Sequence, residues 1–573
     1  VKLGRRLFLV ALAIPLARPA LAQREKQWEW TDVPRIVAVG DVHGAFDNFA
    51  IVLRNAGLVD KDLRWIGGKT HLVQNGDVVD RGPHSRKAMD LLMELEKEAA
   101  KAGGAVHALI GNHEAMNVVG ILDLTSKEEY ESYTDRDSRQ RRESTFERFY
   151  ESLRSEAKEK GEEPPKKADA KDDFEKQYPL GYIEHRQAFS ASGRYGKWIR
   201  QHNTSVKING VVFSHGDWSE KFSRIGIAEL NRRVRAELSG KDPLEGGLAF
   251  DSESPLQYRG LANVELTRAA QQAAAEQVDR TLAGLGATRM VVGHTVASSG
   301  AVESRFGGKH ISIDTGMLEI YRGGHRIALE IENGRLRSIH DGGKVPIPDV
   351  MDETTLHAYL LAVAAVDPEN VDVQLDVVDS LESEKRTGEA VAVLERLRSK
   401  SDRVPFRYRD LMGAYYESLG DAERARQEYL AYIHGLRDLS GANPDNLNLA
   451  NLLVRFCVDK NLELELAEHT MNALLARSPG NSAFLLTRAR LYLAQTEFQG
   501  ALSVLEGLPE EAGTAYEIRY MRGLAHLGLG DRESARAAFE KALAAEPDRH
   551  EAKEELRKLD AGQMPPRFLR PSS

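Results

Sequence analysis

Asp41, His43, Asp77, Asn112, His215 and His294 could do chemistry together, although they are scattered along the first half of the chain. They sit in five short motifs: Gly40-Asp41-Val42-His43-Gly44, Gly76-Asp77-Val78-Val79-Asp80-Arg81-Gly82, Gly111-Asn112-His113-Glu114, Ser214-His215-Gly216-Asp217 and Gly293-His294-Thr295. The donors are carboxylate, amide and imidazole, with no thiolate. Such a set suits two divalent ions of borderline hardness, Mn, Fe or Zn. A carboxylate shared between ions about 3.5–4 Å apart makes the clamp used in metal-assisted phosphoester hydrolysis. Asp77 is the natural bridge. His113, next to Asn112, is placed to protonate a leaving alkoxide, and Asp80 to orient His113 and keep it charged. Arg81 and Arg259 would hold phosphate oxygens, because a planar guanidinium binds them bidentately.

Residues so far apart must be brought together by the elements before them. Ile36–Val39, His71–Gln74, 106–110, 211–213 and 290–292 are short apolar runs of strand length, and each ends in a glycine or a polar break. Every candidate ligand is thus expected on the loop after a strand, at the sheet edge where ligands gather in open α/β folds. Any one motif alone reads as a turn. Five in succession, each after a strand, make coincidence a poor account.

With those motifs in place the chain resembles a calcineurin-type metallophosphoesterase of the phosphoprotein phosphatase kind. It is most similar to the bacterial Shewanella-like phosphatases, through Gly111-Asn112-His113-Glu114-Ala115-Met116-Asn117, Gly193-Arg194-Tyr195-Gly196-Lys197-Trp198, Tyr258-Arg259-Gly260 and Ile313-Asp314-Thr315-Gly316. The likeness covers roughly residues 33–335. It implies an α/β (α+β) β-sandwich flanked by helices, with a two-metal site at one edge. Asp41 and His43 would hold the first ion, Asp77 would bridge, and Asn112, His215 and His294 would hold the second. His113 and Asp80 match the proton-donor pair, and Arg81, Asn112 and Arg259 would face the substrate phosphate. Two positions depart from the pattern. Asp217 stands where the family has glycine, and a carboxylate there is expected to repel substrate or tune the second metal. Gln257 replaces a tryptophan. Glu114 is expected to support the site without being a ligand.

The phosphatase domain is expected over residues 33–345, with a charged insertion at 126–178. In the insertion Phe146, Phe149, Tyr150 and Leu153 make a helical stripe. The expectation is a helical cap, then a mobile linker to about residue 175. It is either a lid or a solvated excursion. After residue 350 the periodicity turns helical. Ala467, Ala501 and Ala535 recur every 34 residues, as in the tetratricopeptide repeat. Gly413 with Tyr429, Ala489 with Leu505, and Gly523 with Phe539 fall at corresponding places. An all-α repeat superhelix is expected over 351–560, either docking a protein partner or only packing, with a disordered tail at 561–573.

Lys2, Arg5 and Arg6 precede an apolar stretch and then Ala20-Leu21-Ala22, the form of a secretory signal peptide over residues 1–22, possible twin-arginine type included. Periplasmic or secreted location is the expectation, with no membrane span after cleavage. The net charge of −9 without a basic block does not favour nucleic acid. Cys457 is the one cysteine, so no disulfide can form within the chain, and its apolar setting reads as a core thiol. The function expected is hydrolysis of a phosphomonoester, on a phosphorylated protein (Ser/Thr or Tyr), by direct attack of hydroxide generated at two metals, Mn foremost. The alternatives are a broad small-molecule phosphomonoesterase, a dinucleoside polyphosphate hydrolase, or an envelope scaffold built on the repeats.

Overall fold

The computed structural model describes residues 26–264, 267–321, 323–349, 351–399, 404–510 and 515–561. The expected signal peptide, and the tail beyond Ala561, lie outside these residues. The described chain divides into two compact units, one ending at Ser380 and one starting at Leu381.

The first unit is built on two six-stranded mixed sheets. Its strands are β1 (Glu29–Trp30), β2 (Arg35–Val39), β3 (His71–Gln74), β4 (Ala105–Ala108), β5 (Ser205–Ile208), β6 (Val211–Ser214), β7 (Arg289–Val292), β8 (Glu303–Arg305), β9 (His310–Ser312), β10 (Ala328–Glu332), β11 (Arg335–His340) and β12 (Gly343–Pro346). One sheet has the order β1-β5-β6-β7-β9-β8, the other β12-β11-β10-β2-β3-β4. Within each, three consecutive strands run parallel: β6, β7 and β9 in the first, β2, β3 and β4 in the second. Parallel strands need crossovers, and helices such as Phe46–Asn55 and Ser85–Lys101 supply them. That is why β2, β3, β6, β7 and β9 are almost wholly buried. Asn75, fully buried after β3, donates through Nδ2 to the carbonyls of Ser214 (2.9 Å) and Val291 (3.1 Å). One amide thereby ties the ends of β6 and β7 to the other sheet. The parallel triplets place six chain reversals at carboxyl ends, and the sequence motifs occupy them.

The insertion differs from expectation in its second half. Ser138–Lys160 is one helix, and its predicted stripe of Phe146, Phe149, Tyr150 and Leu153 is present. The stretch expected to be a mobile linker instead contains a helix, Lys167–Gln177, which folds back on that stripe. Phe174 is buried against Phe146 and Phe149, with ring centroids 5.5 and 5.2 Å apart. One aromatic among lysines and aspartates carries too little periodic signal to reveal a helix that is held by its neighbour.

The second unit is helical throughout its described residues. Its hairpins pair Tyr408–Ser418 with Ala422–Ala442, Leu447–Lys460 with Leu464–Arg477, Ser482–Ala494 with Phe498–Glu506, and Ala515–Gly528 with Arg532–Ala545. The small–large pairing read from the repeats is physical. A Cβ on Gly413 would lie 2.4 Å from the Tyr429 ring, and one on Gly523 would lie 2.3 Å from the Phe539 ring. Each glycine lets the partner helix's aromatic ring lie against its backbone. Cys457 is buried in this unit, and burial pushes its thiol up to about 12, so it is inert packing. No helix among the described residues is long and apolar enough to cross a membrane.

Candidate active site

The six carboxyl-end loops converge. Asp41 and His43 follow β2, Asp77 follows β3, Asn112 opens the helix after β4, and His215 and His294 follow β6 and β7. All six are brought together, and Asp77 lies at the centre. Its Oδ2 is 3.2 Å from His215 Nε2 and 3.7 Å from the Nε2 atoms of both His43 and His113. His43 Nε2 is also 3.9 Å from Asp41 Oδ2. On the other side His215 Nε2 lies 2.9 Å from Asn112 Oδ1 and 2.8 Å from His294 Nδ1. Two sets of donors therefore share one carboxylate oxygen: His43, Asp77 and His113 in one, Asp77, His215 and His294 in the other.

The surroundings fix which nitrogen of each ring points inward. His43 Nδ1 is 3.0 Å from the Val79 carbonyl, His215 Nδ1 is 3.0 Å from the Asn75 carbonyl, and His294 Nε2 is 3.1 Å from the Gln257 carbonyl. A carbonyl only accepts, so each of those nitrogens carries the hydrogen and the other presents a lone pair. In those tautomers the lone pairs of His215 Nε2 and His294 Nδ1 face each other at 2.8 Å beside the oxygens of Asn112 and Asp77. A divalent cation satisfies that arrangement. The acids give the same answer. Burial, with Asp314 and Asp77 nearby, pushes the Asp41 carboxyl well up, and burial pushes Asp314 to about 6. Burial holds His43 down at about 4, and burial with His215 beside it holds His294 at about 2. Crowded buried acids together with imidazoles held neutral form a cation site.

Strain accompanies this convergence. His43, Asp77, Asp80, Arg81 and His294 all have φ between 45° and 70°, a region that costs a non-glycine residue on the order of 1 kcal/mol or more. Glu114 is what holds the strained Asp77 turn. Its buried carboxylate accepts from the backbone N–H groups of Asp77, Val78 and Gly111, each at 2.8 Å. It supports the site and is not a ligand. Gly111 is required for a related reason, since a Cβ there would lie 2.3 Å from Asp77 Oδ1. Glu114→Gln replaces one acceptor oxygen with an NH₂ that cannot accept. The expected result is a loss of about 1–3 kcal/mol of stability and a metal affinity about 10- to 100-fold weaker. Thermal unfolding and a metal titration of the purified variant check both.

His113 faces Asp77 and is backed by Asp80. Its Nδ1 lies 2.7 Å from Asp80 Oδ2, whose carboxylate also accepts from Asn117 Nδ2 (2.8 Å) and Thr125 Oγ1 (2.7 Å). Burial opposes charge on His113, but the carboxylates of Asp77 and Asp80 win and raise its pKa above the ordinary value. A group held protonated near Asp77 can donate a proton. Arg81 and Arg259 are both exposed at the rim. Arg259 donates through Nη1 to the His294 carbonyl (2.6 Å) and to Thr295 Oγ1 (3.2 Å). The Arg81 guanidinium lies over the Tyr321 ring, 5.4 Å from its centroid.

Some functional neighbours had no usable sequence signal. Asn75, Thr125 and Tyr321 lie in irregular segments where nothing marks them. Asp217 was misread. It is buried, and it faces away from the site. Its Oδ2 accepts from Leu261 N (2.7 Å) and Ala262 N (2.9 Å), and its Oδ1 lies 2.7 Å from His310 Nε2. Both its oxygens are engaged in pinning the loop after Arg259 to β9, away from the phosphate side.

The chain is similar to known phosphatases and repeat proteins. Residues 34–297 match the family of calcineurin-like phosphoesterases, and residues 516–549 match the tetratricopeptide repeat. Shewanella-like protein phosphatase 1 of Plasmodium berghei (strain Anka) is 26% identical over 291 residues, covering 49% of this chain and 67% of that protein. Shewanella-like protein phosphatase 2 of Arabidopsis thaliana is 29% identical over 302 residues, covering 49% and 71%. The crystal structure of a cold-active protein-tyrosine phosphatase from a psychrophilic Shewanella species is similar at a TM-score of 0.41 and 25% identity, covering 58% of this chain and 86% of that one.

Proposed function

From the premise that residues 34–297 form a calcineurin-like metallophosphoesterase domain of the phosphoprotein-phosphatase type, which makes this chain a phosphoric monoester hydrolase, we propose that its substrates are phosphorylated proteins. The observation that carries the reading is the convergence of Asp41, His43, Asp77, Asn112, His215 and His294 on two sides of one Asp77 oxygen, with His113 and two rim arginines around it. Two divalent ions bound there, Mn in our reading, would polarise the phosphoryl oxygens and bring a water's pKa close to neutral. Asp41 and His43 would hold one ion, Asn112, His215 and His294 the other, and Asp77 both.

The chain's own residues do the rest. Arg81, over the Tyr321 ring, and Arg259, held at the His294 carbonyl, stand at the rim to bind the phosphate oxygens and orient the group for attack from the metal side. Asn112 contributes its amide N–H to the same phosphate. His113 gives its proton to the departing oxygen, and Asp80 holds the ring so that Nε2 points inward. No covalent phosphoenzyme is needed, because a water activated by the two ions would supply the attacking oxygen. A purely structural role for this domain loses support from the completeness of the donor set.

The relatives named as protein phosphatases support a phosphoprotein substrate, and the repeats support a docked protein partner. Residues 1–22 support work outside the cytoplasm, in the periplasm or beyond. Turnover of phosphotyrosine, phosphoserine and phosphothreonine peptides, set against a small aryl phosphate and a dinucleoside polyphosphate, tests the substrate class. We expect kcat/KM for at least one phosphopeptide to exceed that for the small compounds. A clear preference for the dinucleotide, or equal rates on all, would remove the phosphoprotein reading.

A further inference from the structure

The helical residues that follow the sheets bond to the loops of the active site. The loop from Asp314 to His325 carries Tyr321, which lies under the Arg81 guanidinium, and it closes on itself where His325 N donates to the Gly316 carbonyl (3.2 Å). The His325 imidazole then leaves the loop, and its Nε2 meets Asp372 Oδ2 at 2.9 Å. Asp372 belongs to the helix Val371–Ser383, well past the last strand. The residue that starts this helix uses both ends of its amide. Asn370 Oδ1 accepts from Val373 N (3.1 Å), and Asn370 Nδ2 donates to the Gly300 carbonyl (3.0 Å), in the loop that follows His294. Asn370 is 2% exposed. Gly300, with φ of 57°, packs so closely that a Cβ on it would lie 2.5 Å from His325 Nε2. The two loops, the imidazole and the helix start thus form one contiguous polar cluster.

We propose that Asp372, through His325, is a positioning residue for the phosphate clamp, and that the catalytic unit therefore extends to about residue 380. The inference rests on Arg81 holding phosphate, as proposed above. An arginine at the rim has many rotamers, and fixing it costs entropy unless something already limits its range. The Tyr321 ring provides a face that does so, and the ring is only as well placed as its loop. Asn48 Nδ2 ties the first part of that loop through the Met317 carbonyl (2.9 Å), and the Asp372–His325 pair ties its end.

The test uses the full-length, metal-loaded protein and a small aryl phosphate, which does not need the repeats for docking. Asp372→Ala and Tyr321→Ala are expected to raise KM about five- to tenfold, the net worth of one ordinary hydrogen bond, with kcat within about twofold. Asp372→Asn keeps an oxygen that accepts from His325 and is expected to restore KM. In an Arg81→Ala background the Asp372→Ala effect is expected to vanish, because it acts through that arginine. Should Asp372→Ala fail to fold, Tyr321→Ala, half-buried on its loop, decides the matter through the same cycle with Arg81→Ala. An unchanged KM, or a KM effect that persists without Arg81, would overturn the inference while leaving an active wild type, and with it the phosphatase assignment, intact. An inactive metal-loaded wild type would instead strike the assignment itself.

Discussion

Asp77→Asn is expected to abolish metal-dependent turnover while the fold survives. Asp77 Oδ2 is the one atom shared by both donor sets, at 3.2 Å from His215 and 3.7 Å from His43. The substitution keeps the shape and keeps Oδ1, which accepts from His113 N at 3.0 Å, but it removes the charge and turns one bridging oxygen into a donor. Losing a mere hydrogen-bond partner of a ligand costs about 10- to 100-fold in affinity or activity, so losing the shared ligand is expected to cost more than that. Stability should change less than activity. Burial works against the charged form, yet the imidazoles of His215 and His113 hold the Asp77 carboxyl well below its usual range in the metal-free chain. The folded state thus favours the ionised form, and the amide gives up that part of the stability. We expect the variant to stay folded, to unfold somewhat below the metal-free wild type, and to lack the shift that added metal gives the wild type. A differential scan with and without Mn checks both halves. Metal-dependent turnover within tenfold of wild type would show that Asp77 does not bridge.

His113→Asn should reveal its role through the leaving group. General acid catalysis is worth about 10²–10⁴ in rate, but only where the departing oxygen needs the proton. A phosphoserine side chain leaves as a poor alkoxide, whereas a nitrophenolate leaves readily without help. The expected result is a kcat lower by about 10²–10⁴ on phosphoserine or alkyl phosphates and a much smaller loss on 4-nitrophenyl phosphate, with KM little changed on either. Asp80→Asn should show the same ranking in weaker form, since it leaves the ring present but poorly held: the 2.7 Å contact to His113 Nδ1 would lose its charge. Rates measured across a series of aryl and alkyl phosphates give the slope against leaving-group pKa. If that slope is the same for wild type and His113→Asn, the imidazole is doing something other than protonating the leaving oxygen.

Much of the site could be read before any coordinates. The runs ending at Val39, Gln74, Ile110, Phe213 and Val292 each contain a strand or lie within a residue or two of one, because buried parallel strands must be apolar along their whole length. Ligand types and their places after those strands then nearly determine the geometry. What escaped depends on where side chains turn, which spacing does not encode. Asp217 sits two residues from a ligand, yet it points the other way, to His310 and two backbone amides. Tyr321 and Asn75 sit in loops with no periodicity at all. The helix Lys167–Gln177 owes its order to Phe146 and Phe149 across the hairpin, which is tertiary context acting on a weak local preference. The repeats were legible for the opposite reason. Each helix pair solves the same packing problem, so the glycine under an aromatic recurs at Gly413 and Gly523.

The most direct test of the two-metal account is turnover of a phosphomonoester by the purified protein, from Gln23 onward, stripped of metal and then titrated with Mn. The account predicts no turnover in chelator, and recovery that needs two equivalents of metal per chain and is absent in Asp77→Asn. Full activity in the stripped protein, or no activity in a folded protein shown to hold two metal ions, would contradict it.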